Sequence, residues 1–183
     1  MYEQFKARAV GVGAEVHRVG TCSDAVEFIL SFLKQEGIAE TPGSYAVWAK
    51  GSFLEAVDRG ALAGVPGLGF EVTRERAAQA KVGISDMSFA VADTGSLVQD
   101  QAAPDQRLAS ALTGIHIALV PSGNIVADKT ALFTRINPKS SRYIAFITGP
   151  SRTADIERVL TIGVHGPERL IILFVDELGG EQR

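Results

Sequence analysis

Three near-continuous apolar runs constrain this chain more than any other feature. They are residues 114–123 (GIHIALVPSG), 142–151 (RYIAFITGPS) and 168–177 (ERLIILFVDE). A strand with one wet face alternates apolar and polar residues, so runs without alternation predict strands covered on both faces. Residues 44–49 (SYAVWA), bounded by Pro42, Gly43 and Gly51, predict a further short strand. Between these lie helical patterns. Residues 23–37 place apolar side chains at 25, 26, 28, 29, 30, 32 and 33, with Ser23 or Thr21 to cap the start and Gly37 to end it. Residues 128–136, capped by Asp128, and 153–163 predict two more helices. Strands alternating with helices define an α/β fold: three layers, a mostly parallel sheet and helices on both faces.

No repeat, low-complexity segment or clear linker divides the chain, which reads as a single domain over residues 1–183. Its length suffices for a full core. The stretch 59–71 (RGALAGVPGLGFE), with four glycines and a proline, reads as a loop that could cover a site or order on a partner. In the partner case Leu62, Val65, Leu68 and Phe70 would be buried by that partner; otherwise the stretch is an ordinary loop folded over the core.

Composition excludes several function classes. A net charge of −3 with no basic run gives no nucleic-acid footprint. No apolar stretch reaches the ~20 residues that span a bilayer. The start of the chain shows no signal-peptide pattern, so a cytoplasmic location is expected. The single Cys22 excludes an internal disulfide and any cysteine-ligated iron–sulfur cluster held by this chain alone. Cys22 reads as a plain buried thiol, although a helix start can lower a thiol pKa.

Two stretches carry candidate chemistry. Asp93-Thr94-Gly95-Ser96 has the letters of an aspartic-protease loop. That chemistry needs two carboxylates sharing one proton. The chain holds no second such motif, and its helical segments do not suit a small all-β protease subunit. The expected role is therefore a tight turn between 88–92 and 96–100, structural or ligand-facing, with Asp93 a candidate catalytic group. The second stretch is Gly149-Pro150-Ser151-Arg152-Thr153, between an apolar strand and the helix expected at 153–163. A helix N-terminus with a guanidinium and two hydroxyls would suit a small carboxylate or phosphate; simple capping by Ser151 or Thr153, with Arg152 solvated, explains the same letters. Asp155 would complement the helix dipole. His165, in a Gly-rich bend, is the second candidate catalytic group and a candidate donor to an anion, or else a loop histidine on a backbone carbonyl. His116, inside an apolar strand, reads as a core histidine, and His17 as strand surface. Histidines this scattered predict no metal site.

Residues 83–98 (GISDMSFAVADTGSLV) and 107–126, followed by GPSRTADIE and GVHGP, resemble the LUD-domain family, in particular its lactate-utilisation protein C branch, over about residues 40–177. The family motifs fall on Asp93, Thr94 and Gly95, on His116, on Gly149 to Thr153 with Asp155, and on His165 with Gly166. The resemblance implies a fold like the ribose-phosphate isomerase, glucosamine-phosphate isomerase and coenzyme A transferase group. It also implies a role in oxidising L-lactate to pyruvate together with iron–sulfur partner subunits. Larger relatives carry cluster-binding cysteines, and this chain has none. The functional expectation is a subunit that binds substrate or partner and supplies no redox centre. The alternative is a free-standing enzyme or binding protein for a small phosphorylated or acyl ligand.

Overall fold

The computed structural model describes residues 1–100, 103–141, 143–154, 160–162 and 166–179. In chain order the elements are α1 (Tyr2–Gly11), β1 (Glu15–Val19), α2 (Cys22–Gln35), β2 (Tyr45–Trp48), α3 (Ser52–Ala56) and α4 (Gly60–Ala63). There follow β3 (Leu68–Gly69), α5 (Arg74–Ala78), β4 (Ala80–Asp86), β5 (Phe89–Val91), β6 (Ser96–Asp100), α6 (Pro104–Ala111) and β7 (Ile115–Pro121). The last are β8 (Ile125–Val126), α7 (Lys129–Arg135), β9 (Ile144–Ile147), β10 (Arg152–Ala154), β11 (Leu160–Ile162) and β12 (Arg169–Val175). Among the described residues no helix is long and apolar enough to cross a membrane.

Six strands form one sheet in the order β1-β12-β7-β4-β2-β3, every neighbouring pair parallel. The two most apolar runs, β7 and β12, lie side by side in its interior. Ile171, Leu173 and Val175 of β12 point into one core, and Leu170, Ile172 and Phe174 into the other. A strand so placed has no wet face, which is why its sequence does not alternate. The first face is covered by α2, α3 and α4 through Ile29, Leu33, Phe53, Leu54 and Leu62. The second is covered by α1 through Phe5 and Ala9, and by α6 against β4 and β7. It is also covered by a second sheet, ordered β8-β5-β6-β9, whose Ala90 and Leu97 enter the same core.

Local chemistry sets the helix limits. Thr21 closes a capping box with Asp24: the Asp24 N–H donates to Thr21 Oγ1 at 3.0 Å, and the Thr21 N–H to Asp24 Oδ2 at 3.0 Å. Gly37, at φ +70°, carries the chain out of α2. Asp128 caps α7 by accepting from the Ala131 N–H at 2.8 Å.

Three expectations are corrected. The apolar run 142–151 is not a two-face-buried strand of the parallel sheet. Its β9 pairs antiparallel with β6 at the edge of the small sheet, and Phe146 is 42% exposed. A short apolar run does not reveal by itself how many faces will be covered. The helix expected at 153–163 is not formed in its described parts: β10 pairs antiparallel with β11, Arg152 opposite Ile162. The β-branched Thr153, Thr161 and Ile162 suit that pairing. The stretch 59–71 is not a plain loop. It contains α4 and the edge strand β3; Leu62 is buried, and Val65, Leu68 and Phe70 pack on this domain's own core rather than awaiting a partner.

Candidate functional site

The Asp93–Ser96 turn joins β5 to β6 as a hairpin. The Gly95 N–H donates to the Val91 carbonyl at 3.0 Å, and Gly95 sits at φ +67°. A Cβ on Gly95 would lie 2.5 Å from the Ala9 nitrogen of α1, so this glycine serves both the turn and a close approach. Asp93 is exposed, and its N–H donates to the Ala127 carbonyl at 3.0 Å. The Thr94 hydroxyl is shielded from solvent and has no partner among the described residues.

The Gly149–Arg152 loop reaches the same end of α1. Ser96 and Thr148 hydroxyls lie 2.7 Å apart, linking the turn to the loop. Gly149 is at φ +71°, and a Cβ there would come within 2.8 Å of the Val12 carbonyl oxygen. Arg152 donates from Nη2 to that oxygen at 2.6 Å, and the Ser151 N–H to the Pro167 carbonyl at 2.8 Å. A cation at a helix C-terminus is favourable to its dipole, so Arg152 fastens α1 while remaining exposed. The structure thus brings Gly95, Gly149 and Arg152 together around residues 8–13, with Thr94 and Ser151 next to them in the chain. Because no helix starts at Thr153, the helix N-terminal donors expected there are absent from the loop. His165 and Asp155 lie outside the described residues.

A second cluster escaped the sequence reading. Strand β2 leaves the sheet toward α3, on the α2 face, whereas its neighbour β4 leaves toward β5 and β6, on the opposite face. Adjacent strands departing to opposite faces open a crevice at their carboxyl ends, the usual ligand position in open α/β sheets. Asp86 stands there. Its Oδ2 accepts from the Phe53 N–H at 3.0 Å and from Ser52 Oγ at 3.2 Å. Its Oδ1 is shielded and has no partner among the described residues. Burial pushes the Asp86 carboxyl above the usual carboxylate range, against the opposing pull of these hydrogen bonds. Gln106 of α6 bridges the crevice, accepting from the Asp86 N–H at 3.0 Å and donating to the Lys50 carbonyl. A Cβ on Gly51 would overlap Asp86 Oδ2, so that approach requires glycine.

Beneath Asp86, His116 is fully buried, with Nε2 2.8 Å from Ser85 Oγ. Gln99 donates to the same hydroxyl at 3.3 Å, and Ser110 to Gln99 Oε1 at 3.4 Å. Burial lowers the His116 pKa to about 3, so its ring is neutral near pH 7. It is a core histidine, with Nδ1 unpartnered among the described residues. His17 is exposed on β1 and lies beside Phe28. Cys22 is half-buried at the start of α2. Its thiol is raised to about 11 by burial and by Glu177, which overturns the lowered-pKa option. Among the described residues no three His, Cys, Asp or Glu side chains converge to hold a metal.

The fold and these clusters define an α/β domain in which a parallel sheet and a smaller mixed sheet enclose an apolar core and a small buried polar cluster. The chain belongs to the LUD domain family, which matches residues 2–175. It is 36% identical over 114 residues to lactate utilization protein C of Exiguobacterium sp., covering 59% of this chain and 50% of that protein. It is 33% identical over 109 residues to lactate utilization protein C of Bacillus subtilis, covering 56% of this chain and 45% of that protein. The chain spans about half the length of the curated relatives it matches. In fold it is similar to a DUF162 family protein from Deinococcus radiodurans, with a TM-score of 0.64 at 19% identity and 95% of each chain covered.

Proposed function

We propose that this chain is the subunit of an L-lactate utilisation system that carries no redox centre and works with iron–sulfur partner proteins. The observation that carries this reading is its similarity to lactate utilization protein C from two organisms, within a family match spanning almost the whole chain. With one cysteine, the chain leaves any cluster to its partners. Lactate is an anion, and the exposed Arg152, beside Gly149, Ser151 and Thr153, is the cation assigned to a small carboxylate. Thr94 and Gly95 border the same point, with Asp93 beside them and His165 the further candidate donor.

Purification of the chain from its host, with iron analysis of what accompanies it, tests the reading. The expected result is copurification with cysteine-rich iron–sulfur proteins and lactate-dependent dye reduction by the assembly, but not by the chain alone. Full lactate oxidation by the single chain, or no association and normal growth on lactate after deletion, overturns it. Arg152→Ala should weaken lactate binding about tenfold or more, because a charge-assisted hydrogen bond is worth roughly 1.5–3 kcal/mol.

A further inference from the structure

Helix α2 carries two apolar stripes, one fully buried on the sheet and one only partly covered by the same core. Ala25, Ile29 and Leu33 are fully buried against it. A second stripe, Cys22, Val26, Leu30 and Lys34, recurs at four-residue spacing and lines an open groove of about 680 Å³. The opposite wall is the α3–α4 segment, with Ala56, Val57 and Ala61. Cys22, Val26, Leu30 and Val57 are half-buried, leaving aliphatic surface at the floor.

Shape and charge say what fits. The stripe from residue 22 to 34 runs for roughly 18 Å at 1.5 Å per residue, so the groove is long and lies parallel to a helix. A lactate-sized ligand would fill a small part of it. Glu27, Asp58 and Glu177 line the groove against one cation, Lys34. All four are exposed, and the excess negative charge disfavours an anionic occupant.

We propose that the groove between α2 and the α3–α4 segment is a docking surface for an amphipathic helix of a partner protein, with aliphatic residues along one stripe and Lys or Arg at its borders. The proposal rests on the partnered reading above; of stretch 59–71 it uses Ala61 of α4, and not Leu62, Val65, Leu68 and Phe70, which pack on this domain's own core. A helix laid in an apolar groove is read through anchors at i, i+3, i+4 and i+7, and a floor of roughly 18 Å is long enough for those two turns. The basic borders would meet Glu27 and Asp58. A second copy of this acidic chain brings like charge to the groove, which favours a different, basic partner.

The test uses the full chain and a fluorescein-labelled synthetic helix with leucines at those spacings and flanking lysines, read by anisotropy. A twin carries glutamate for lysine. The lysine helix should bind and the glutamate twin should bind at least about fivefold more weakly, as expected for interface charges worth several tenths of a kcal/mol each. Ala61→Trp, an exposed position facing the groove, should abolish binding. Glu27→Lys combined with Asp58→Asn, which keeps an acceptor for the Gly60 N–H, should weaken it about fivefold or more by the same charge argument. No binding of the lysine helix, equal binding of the twins, or indifference to Ala61→Trp overturns the proposal. So does self-association in sedimentation that Ala61→Trp abolishes, since the occupant would then be a second copy. The result is separable from the lactate test. Copurification without groove binding moves the contact elsewhere, whereas groove binding without lactate-dependent activity keeps the surface and removes the pathway.

Discussion

Replacing His116 with glutamine should make the protein less sensitive to mild acid. His116 lies wholly inside, and burial holds its pKa at about 3, against an ordinary value of 6.5. In the unfolded chain the ring takes a proton as pH falls through 6.5; in the folded chain it stays neutral down to about 3. The unfolded state therefore binds more protons throughout that window, and stability falls as pH falls. At pH 5 the unfolded ring is about 1.5 units below its pKa, so at 1.36 kcal/mol per unit the loss is about 2 kcal/mol relative to neutral pH. That is a measurable share of a total stability of roughly 5–15 kcal/mol. Glutamine can present an amide to Ser85 Oγ, the partner of His116 Nε2, but cannot titrate. Urea unfolding at pH 7.5 and pH 5 should show the wild type losing about 2 kcal/mol more than His116→Gln, whatever the variant costs at pH 7.5. Carboxylates titrate in both proteins, and their contribution cancels in the difference. Parallel pH dependences would refute the reasoning and place the ring where water or a counter-charge reaches it.

The Cys22 thiol, raised to about 11, should alkylate slowly. At pH 8 its thiolate fraction is about a hundredth that of a free cysteine, and greater intrinsic nucleophilicity restores about tenfold, leaving a rate about tenfold below that of glutathione with iodoacetamide. Gly83→Ala should cost about 2–3 kcal/mol, seen as a melting temperature lower by about 5–10 °C, since overpacking displaces backbone. The new Cβ would overlap the Ala109 carbonyl oxygen, and α6 must shift to admit it. Asp93→Asn should change no proteolytic activity, because the wild type should have none; pepstatin-sensitive cleavage of a peptide library by the pure protein would contradict this.

Burial on two faces leaves a mark in sequence wherever side chains on both sides must be apolar. The central strands β7 and β12 were therefore legible, as was α2, whose spacing and Thr21 cap agree. Strand β9 has the same apolar density, but it is buried only in part and Phe146 is exposed, and nothing local records that difference. The α1 helix was missed because it buries only Phe5 and Ala9, too few to form a stripe. The Asp86 crevice was illegible for another reason. Its partners Ser52, Phe53 and Gln106 lie 20 or more residues away, and polar side chains that meet across loops have no period. One local hint existed: an aspartate closing an apolar strand, where its side chain is part shielded and must find donors.

The Asp-Thr-Gly-Ser letters form the tight turn expected of them, joining β5 to β6. Gly95 and Gly149 have positive φ, and each meets the end of α1 where a Cβ would intrude. Arg152 holds the same end through the Val12 carbonyl. The glycines and one arm of the arginine are accounted for by the need to seat one helix against two loops. That packing does not account for a shielded Thr94 hydroxyl without a partner among the described residues, or for the exposure of the Arg152 side chain. A buried hydroxyl left unpaired costs about 1–3 kcal/mol, and an exposed fork is free to take a carboxylate. The two motifs are thus a clamp on the end of α1, built from two positive-φ glycines and one guanidinium donor.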